Sequence, residues 1–162
     1  MKHKIIIIVG TVTLSVLSCK SKIETISGYY NYDTACVSVE KNGVQTVKAW
    51  GFGLREKEAI SNARKNAIDD ILFKGIRDGK GGCNIRPIIS NPNVKRDQER
   101  YFNVFYTPNG AFQSFASLPD ENWLRQKLKI NKKYGGNLVY EIILEVDIQG
   151  LKVQLQRDQI IP

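Results

Sequence analysis

The stretch that decides the fold is Val44–Ile76, VQTVKAWGFGLREKEAISNARKNAIDDILFKGI. Up to Phe52 it reads as a strand: Val47 and Ala49 share one parity, Trp50 and Phe52 the other. From Arg55 to about Ile76 the period changes. Ala59, Ile60, Ala63, Ala67, Ile68, Ile71 and Leu72 form an apolar stripe at helical spacing, with Arg55, Glu56, Lys57, Glu58, Arg64, Lys65 and Asp69 largely elsewhere. Ala59, Ala63 and Ala67 stand at i, i+4 and i+8, small enough to let the helix axis approach a neighbouring sheet closely. Gly75 begins the end of this helix, and the glycine-rich stretch Gly79–Gly82 breaks it.

Upstream, Ala35, Val37 and Val39 alternate with Cys36, Ser38 and Glu40, a half-buried strand, and Asn42-Gly43 signals a hairpin. A three-residue connection, Lys41 to Gly43, pairs Val37 with Val47 and Ala35 with Ala49, whereas a two-residue turn sets Val37 against Lys48. Hydrophobic matching favours the longer loop. Downstream, residues 77–91 read as a loop, and Asn91-Pro92 as the cap and first turn of a second helix. That helix carries Val94, Gln98, Tyr101, Phe102 and Phe105 to about Tyr106; Pro108-Asn109-Gly110 stops it, and Ala111–Leu118 is a strand candidate.

In the last third Leu124, Leu128 and Ile130 alternate with Arg125, Lys127 and Lys129. After Gly135-Gly136 the alternation resumes with Tyr140, Ile142, Leu144, Val146 and Ile148. A two-residue turn would place Ile130 opposite Glu141. A three-residue loop, Gly135 to Asn137, pairs Ile130 with Ile142, Leu128 with Leu144, Lys127 with Glu145 and Arg125 with Asp147, and is preferred on both counts. Gly150 is read as the end of the strand, and Leu151–Gln159 as a helix or another strand, the helix being preferred. The pattern predicts an α+β domain: a mainly antiparallel sheet of two hairpins packed by two to three helices.

The N-terminus sets the compartment. Lys2 and Lys4 precede an uncharged run, Ile5 to Leu17. As a helix it would span about 20 Å, short of the roughly 30 Å hydrocarbon core, so it reads as a secretory signal. The run ends Val16-Leu17-Ser18-Cys19, which resembles the lipobox of bacterial lipoproteins. That resemblance implies cleavage before Cys19 and acylation of its sulfur and new amine. Residues 1–18 are then the signal, 19–33 a tether and 34–162 a single domain. Two or three acyl chains, at about 0.8 kcal/mol per buried methylene, anchor such a domain firmly.

Of the 162 residues, 24 are Lys or Arg, 16 are Asp or Glu, and one is His. Loss of the signal removes Lys2, Lys4 and His3, leaving 22 basic against 16 acidic side chains and no histidine. Imidazole-based nucleophilic catalysis and histidine–metal sites are therefore excluded from the mature chain. Behind a signal peptide, the net +6 suits a solvated surface, anionic headgroups, glycans or an acidic partner better than nucleic acid. With Cys19 lipidated, Cys36 and Cys83 remain as an even pair in an oxidising compartment, favouring a disulfide over two buried thiols or a redox pair. Closing that loop is worth about 4 kcal/mol in the chain-entropy model.

No carboxylate set has the spacing of an acid–base pair. Asp69-Asp70 diverge by about 100° on a helix, Asp120-Glu121 lie in a turn, and Glu141 and Glu145 face basic cross-strand partners. Gly51-Phe52-Gly53 lacks the third glycine of a dinucleotide fingerprint and has Glu56 where phosphate would sit. Lys80-Gly81-Gly82-Cys83 lacks the first glycine and Ser/Thr of a P-loop. Trp50 and Phe52 either meet a second layer or form an exposed patch.

Gly51-x-Gly53 followed by Ala59, Ala63, Asn66 and Ala67 resembles a segment of small Gram-negative envelope lipoproteins, the surface-lipoprotein and flagellar-assembly (FlgT N-terminal-like) group. The resemblance covers about 30 residues and implies a compact α+β domain in envelope assembly or surface architecture, without catalytic residues. The expected protein is a non-catalytic, outer-membrane lipoprotein facing the periplasm, binding another envelope protein through Trp50, Phe52, Arg125 or Lys127, with no cofactor, metal or nucleic acid. The alternative is a histidine-free, carboxylate-dependent glycan hydrolase, whose signature is a cleft with two carboxylates about 5–9.5 Å apart.

Overall fold

A computed structural model describes residues 33–39, 42–79, 84–119, 129–134 and 137–162. The chain has an α+β fold. Strands β1 (Ala35–Val39) and β2 (Val44–Gly53) form one hairpin, and β4 (Lys129–Tyr134) and β5 (Asn137–Asp147) the other. β2 and β5 pair antiparallel along ten residues and join the hairpins. The two-residue β3 (Ala116–Ser117) pairs with β5 beyond the end of β4, giving the order β1-β2-β5-β3 with β4 also on β5. Helix α1 (Glu56–Asp69) lies on one sheet face, followed by a π-helical turn, Asp70–Lys74. The short helices α2 (Val94–Asp97) and α3 (Glu99–Phe105) come next, and α4 (Ile148–Arg157) closes the chain.

The alanine stripe behaves as the sequence predicts. Ala59, Ala63, Ala67 and Ile68 are fully buried against Val47 and Ala49 of β2 and Ile142 and Leu144 of β5. The contact is so close that a Cβ added to Gly51 would fall within the carbonyl oxygen of Ala59, and 2.7 Å from the amide nitrogen of Ala63. Where β1 has ended, Asn66 Nδ2 donates to the Trp50 carbonyl at 2.8 Å and Asn62 Nδ2 to the Phe52 carbonyl at 2.6 Å. Two helix side chains thus take the place of a neighbouring strand on a bare sheet edge.

Both hairpin registers differ from expectation, and each for the same reason. Ser38 pairs with Thr46 and Val39 with Gln45, as the three-residue loop requires. Val37 is then an extra residue, and beyond it Cys36 faces Val47 and Ala35 faces Lys48, in place of the expected Val37–Val47 and Ala35–Ala49 pairs. The bulge turns Cys36, 3% exposed, into the core, and the buried Gln45 amide donates to the Ser38 carbonyl across it. In the second hairpin Tyr134 pairs with Asn137, so the shorter connection is the one used. Asn131 is the extra residue there. It shifts Ile130 from Glu141 to Tyr140, the core-facing parity, and so absorbs the mismatch that spoke against the short turn. The site beside Glu145 expected for Lys127 is held by Ser117 of β3.

Three smaller corrections follow from local chemistry. The predicted second helix breaks at Gln98 (φ −111°, ψ 32°), and Asn91 accepts from the Asn93 amide at 3.0 Å, forming a turn ahead of the helix. Ala111–Phe115 is a 3-10 turn that buries Phe112, leaving only Ala116–Ser117 as strand. Gly150 stands inside the first turn of α4 and does not end the strand there, because the Asp147 carboxylate caps the helix by accepting from its amide at 2.7 Å. The helices thus outnumber the two to three expected.

Candidate functional site

Of the residues singled out by sequence, Cys19, Cys83, Arg125 and Lys127 lie outside the described residues. Cys36 is on the core face of β1. Trp50 and Phe52 stand on the opposite face of β2, across from Glu141 and Val139, and both residues are half-buried. Neither is a fully exposed anchor. Lys48 on the same face lies 4.0 Å from Glu141, a weak, partly exposed pair.

The described acids hold the fold together. Asp70 is 7% exposed; its Oδ2 accepts from the amide of Thr34 at 3.3 Å and from its hydroxyl at 2.6 Å, while Oδ1 meets Lys74 Nζ at 2.7 Å. The bond and charge of Asp70 raise the Lys74 pKa. Asp69, its neighbour, turns outward to Lys95 at 2.5 Å, so the two carboxylates diverge as the helical geometry predicts. Glu58 Oε2 accepts from the Leu54 amide at 2.9 Å, occupying the start of α1 where a phosphate would have to bind. Asp158 accepts from Tyr101 Oη at 2.7 Å and from Gln154, tying α3 to the end of α4; burial first, then that bond, holds the Tyr101 proton on well above the usual phenol range. No group of three or more Cys, Asp or Glu among the described residues is placed to hold a metal ion.

Two grooves flank α1. The first, about 590 Å³, lies between α1 and α2–α3 and is lined by Lys65, Lys95, Arg96, Glu99, Phe102 and Tyr106. Its rings belong to a continuous aromatic cluster: Phe102 packs edge-on to Phe73 at 5.3 Å and Tyr106 edge-on to Phe105 at 5.1 Å. Lys65 and Lys95 stand 5.3 and 6.0 Å from the Tyr106 centroid. Sequence assigned Tyr101, Phe102 and Phe105 to the core; Phe102 and Phe105 are indeed buried. The Tyr106 hydroxyl is sealed from solvent close to Asp69, and burial, followed by the Asp69 charge, raises its pKa strongly. The cations of this groove are largely balanced, Lys95 by Asp69 and Arg96 by Asp97 at 3.1 Å.

The second groove, about 680 Å³, lies on the other flank of α1, with Pro108, Gln113 and Leu118 as its far wall. Lys57, Ser61 and Arg64 line it from one face of the helix at i, i+4 and i+7, beside Ile60. Arg64 Nε is buried without a hydrogen-bond partner. Burial is the sole cause acting on the Arg64 pKa, and it lowers it. Sequence reading placed Arg64 on the solvated face; the Lys57-Ser61-Arg64 spacing was the signal that it shares a face with another cation.

No described helix is long and apolar enough to cross a membrane. The described residues therefore define an α+β domain with a cationic and an aromatic flank. No family model matches the chain, and neither a curated protein nor a solved structure matches it.

Proposed function

We propose that this is a non-catalytic, lipid-anchored domain of the outer membrane, facing the periplasm, that binds another envelope protein. The observation that carries this reading is the division of labour among charges. The one buried carboxylate among the described residues, Asp70, is saturated by Thr34 and Lys74, whereas the partly buried Arg64 has no ion-pair partner among the described residues and an Nε without a hydrogen bond. Hydrolysis by carboxylates needs acids whose oxygens reach a substrate. Each of the two grooves beside α1 has a single acid on its wall, Glu99 in one and Glu58 in the other, and Glu58 is turned back onto the helix start; a smaller cavity of about 270 Å³ holds Asp33, Asp70 and Asp78, but there Asp70 is taken up by Thr34 and Lys74 and Arg77 stands among the acids. Binding needs only a few cationic or aromatic anchors in a concave site.

The anchor follows from the apolar run ending in Ser18-Cys19. Cys19→Ser should abolish fatty-acid incorporation and move the protein out of the membrane fraction; a variant that remains labelled and sedimenting removes the anchor from the reading. Crosslinking in intact cells should then trap the wild type in a discrete heteromeric adduct that the soluble variant forms poorly. Glycan hydrolysis by the pure protein, lost on replacing one carboxylate such as Glu141 or Asp120, would replace the binding reading with the enzyme.

A Cys36–Cys83 bridge completes the proposal, supported by the oxidising compartment and by Cys36 not being a free thiol. Peptide mapping of the envelope protein without reductant should recover the two cysteines joined. Free thiols at both positions would remove the bridge.

A further inference from the structure

We propose that the groove between α1 and the segment 108–118 receives an acidic segment of the protein partner, with carboxylates held by Arg64 and Lys57. This rests on the reading of the domain as a protein-binding module and names the chemistry of what it binds.

Three observations converge. A guanidinium presents a planar fork that matches a carboxylate through two parallel N–H···O bonds, one of them from Nε. In Arg64 that Nε is buried and unbonded, and no hydrogen bond or ion pair with the described residues holds the side chain, so a change of rotamer can turn its fork into the groove it lines. A buried donor left without an acceptor is rare in folded proteins and calls for a cause; a carboxylate at this position supplies one. Second, Arg64 does not stand alone. Lys57 and Ser61 lie on its own helix face and line the same groove, and seven residues of helix separate Lys57 from Arg64 by about 10 Å. Three residues of a polyproline II segment cover nearly the same length and return side chains to the same face, so acids three apart on such a segment can reach both cations at once. Third, the one acid on the wall, Glu58, is bonded to the Leu54 amide, and Ile60, Pro108 and Leu118 offer apolar contact to the methylenes of a glutamate-bearing segment.

The first groove is the weaker host, since Lys95 and Arg96 already have carboxylate partners. A bilayer is the weaker occupant, because a flat array of headgroups does not enter a walled groove to reach a buried Nε.

The test uses the full chain in neutral detergent at low ionic strength, with a fluorescein-labelled hexaglutamate peptide followed by anisotropy. The wild type should bind it, with Arg64→Gln weakening binding about tenfold or more, and Arg64→Lys and Lys57→Gln by about threefold each. Lys152→Gln on α4 removes the same charge far along the chain and should leave affinity unchanged. Thermal melts should show Arg64→Gln folded, since the buried Nε bonds nothing. The proposal falls if the peptide does not bind, or if Lys152→Gln weakens it as much as Arg64→Gln, which would indicate diffuse attraction. It falls too if phosphatidylglycerol vesicles, or inorganic phosphate at equal charge, displace the peptide through Arg64. Failure here with the crosslinked adduct still forming would overturn this groove assignment and leave the interaction reading standing.

Discussion

Gly51→Ala should cost the domain about 4 kcal/mol or more, enough to leave much of the chain unfolded. A single methyl added to a packed core ordinarily costs about 1–3 kcal/mol, because neighbouring side chains shift rotamer to admit it. At Gly51 the obstacle is main chain: the Ala59 carbonyl and, 2.7 Å away, the Ala63 amide nitrogen. Relief requires α1 to lift from β2 over at least a turn. Lifting it would open space beside Ala59, Ala63 and Ala67, all fully buried, and pull Asn62 and Asn66 from the carbonyls they cover. The total stability of a domain this size is about 5–15 kcal/mol, so the loss is a large part of it. Urea unfolding followed by circular dichroism checks the value. Trimming the helix with Ala63→Gly should not rescue the variant, because the collision is with backbone. A Gly51→Ala protein within about 1 kcal/mol of wild type would show that the helix stands further from the sheet than described.

How much of this was legible in the sequence depends on whether a feature repeats. The Gly51 contact was foreseeable because close approach leaves a periodic trace, alanine at 59, 63 and 67 on the helix and glycine at 51 and 53 on the strand. The α+β class followed from the same change of period. The hairpin registers were not legible in full, because each depends on one bulged residue, Val37 or Asn131, that flips side-chain parity without any compositional mark. The burial of Asp70 was not legible for a related reason: the π-helical turn packs an extra residue into the bend, with the Gly75 amide bonding the Asp70 carbonyl at 2.7 Å. That turn buries Asp70, Ile71 and Leu72 in succession, wider than the single apolar stripe of an amphipathic helix. Gly75 closes it at φ +76°, a conformation glycine adopts at little cost. Arg64 escaped notice because its missing partner is a property of three-dimensional surroundings and not of any spacing along the chain.

Asp70→Ala should destabilise the protein by about 3 kcal/mol, and should do so first at β1. Thr34 is 4% exposed, and both its amide and its hydroxyl donate to the one carboxylate oxygen. Removing the acceptor strands two buried donors, each worth about 1–3 kcal/mol when left unmade. Lys74 matters less: its side chain is 63% exposed and finds water once Asp70 is gone. Lys74→Gln should therefore cost under about 1 kcal/mol. Asp70→Asn keeps one acceptor oxygen for Thr34 and should fall between the two. The position of the damage follows from connectivity. Thr34 leads directly into β1, whose Cys36 amide is held by the Asp78 carbonyl at 2.8 Å. Loss of the Thr34 staple should let β1 fray while β2 and β5 remain paired along their ten residues. Amide hydrogen exchange reads this directly: protection at Cys36 should fall well below its wild-type value, while protection at Val47 and Leu144 falls only with global stability. Equal loss of protection in β1 and in the β2–β5 core would mean that Asp70 supports the whole domain and not β1 alone.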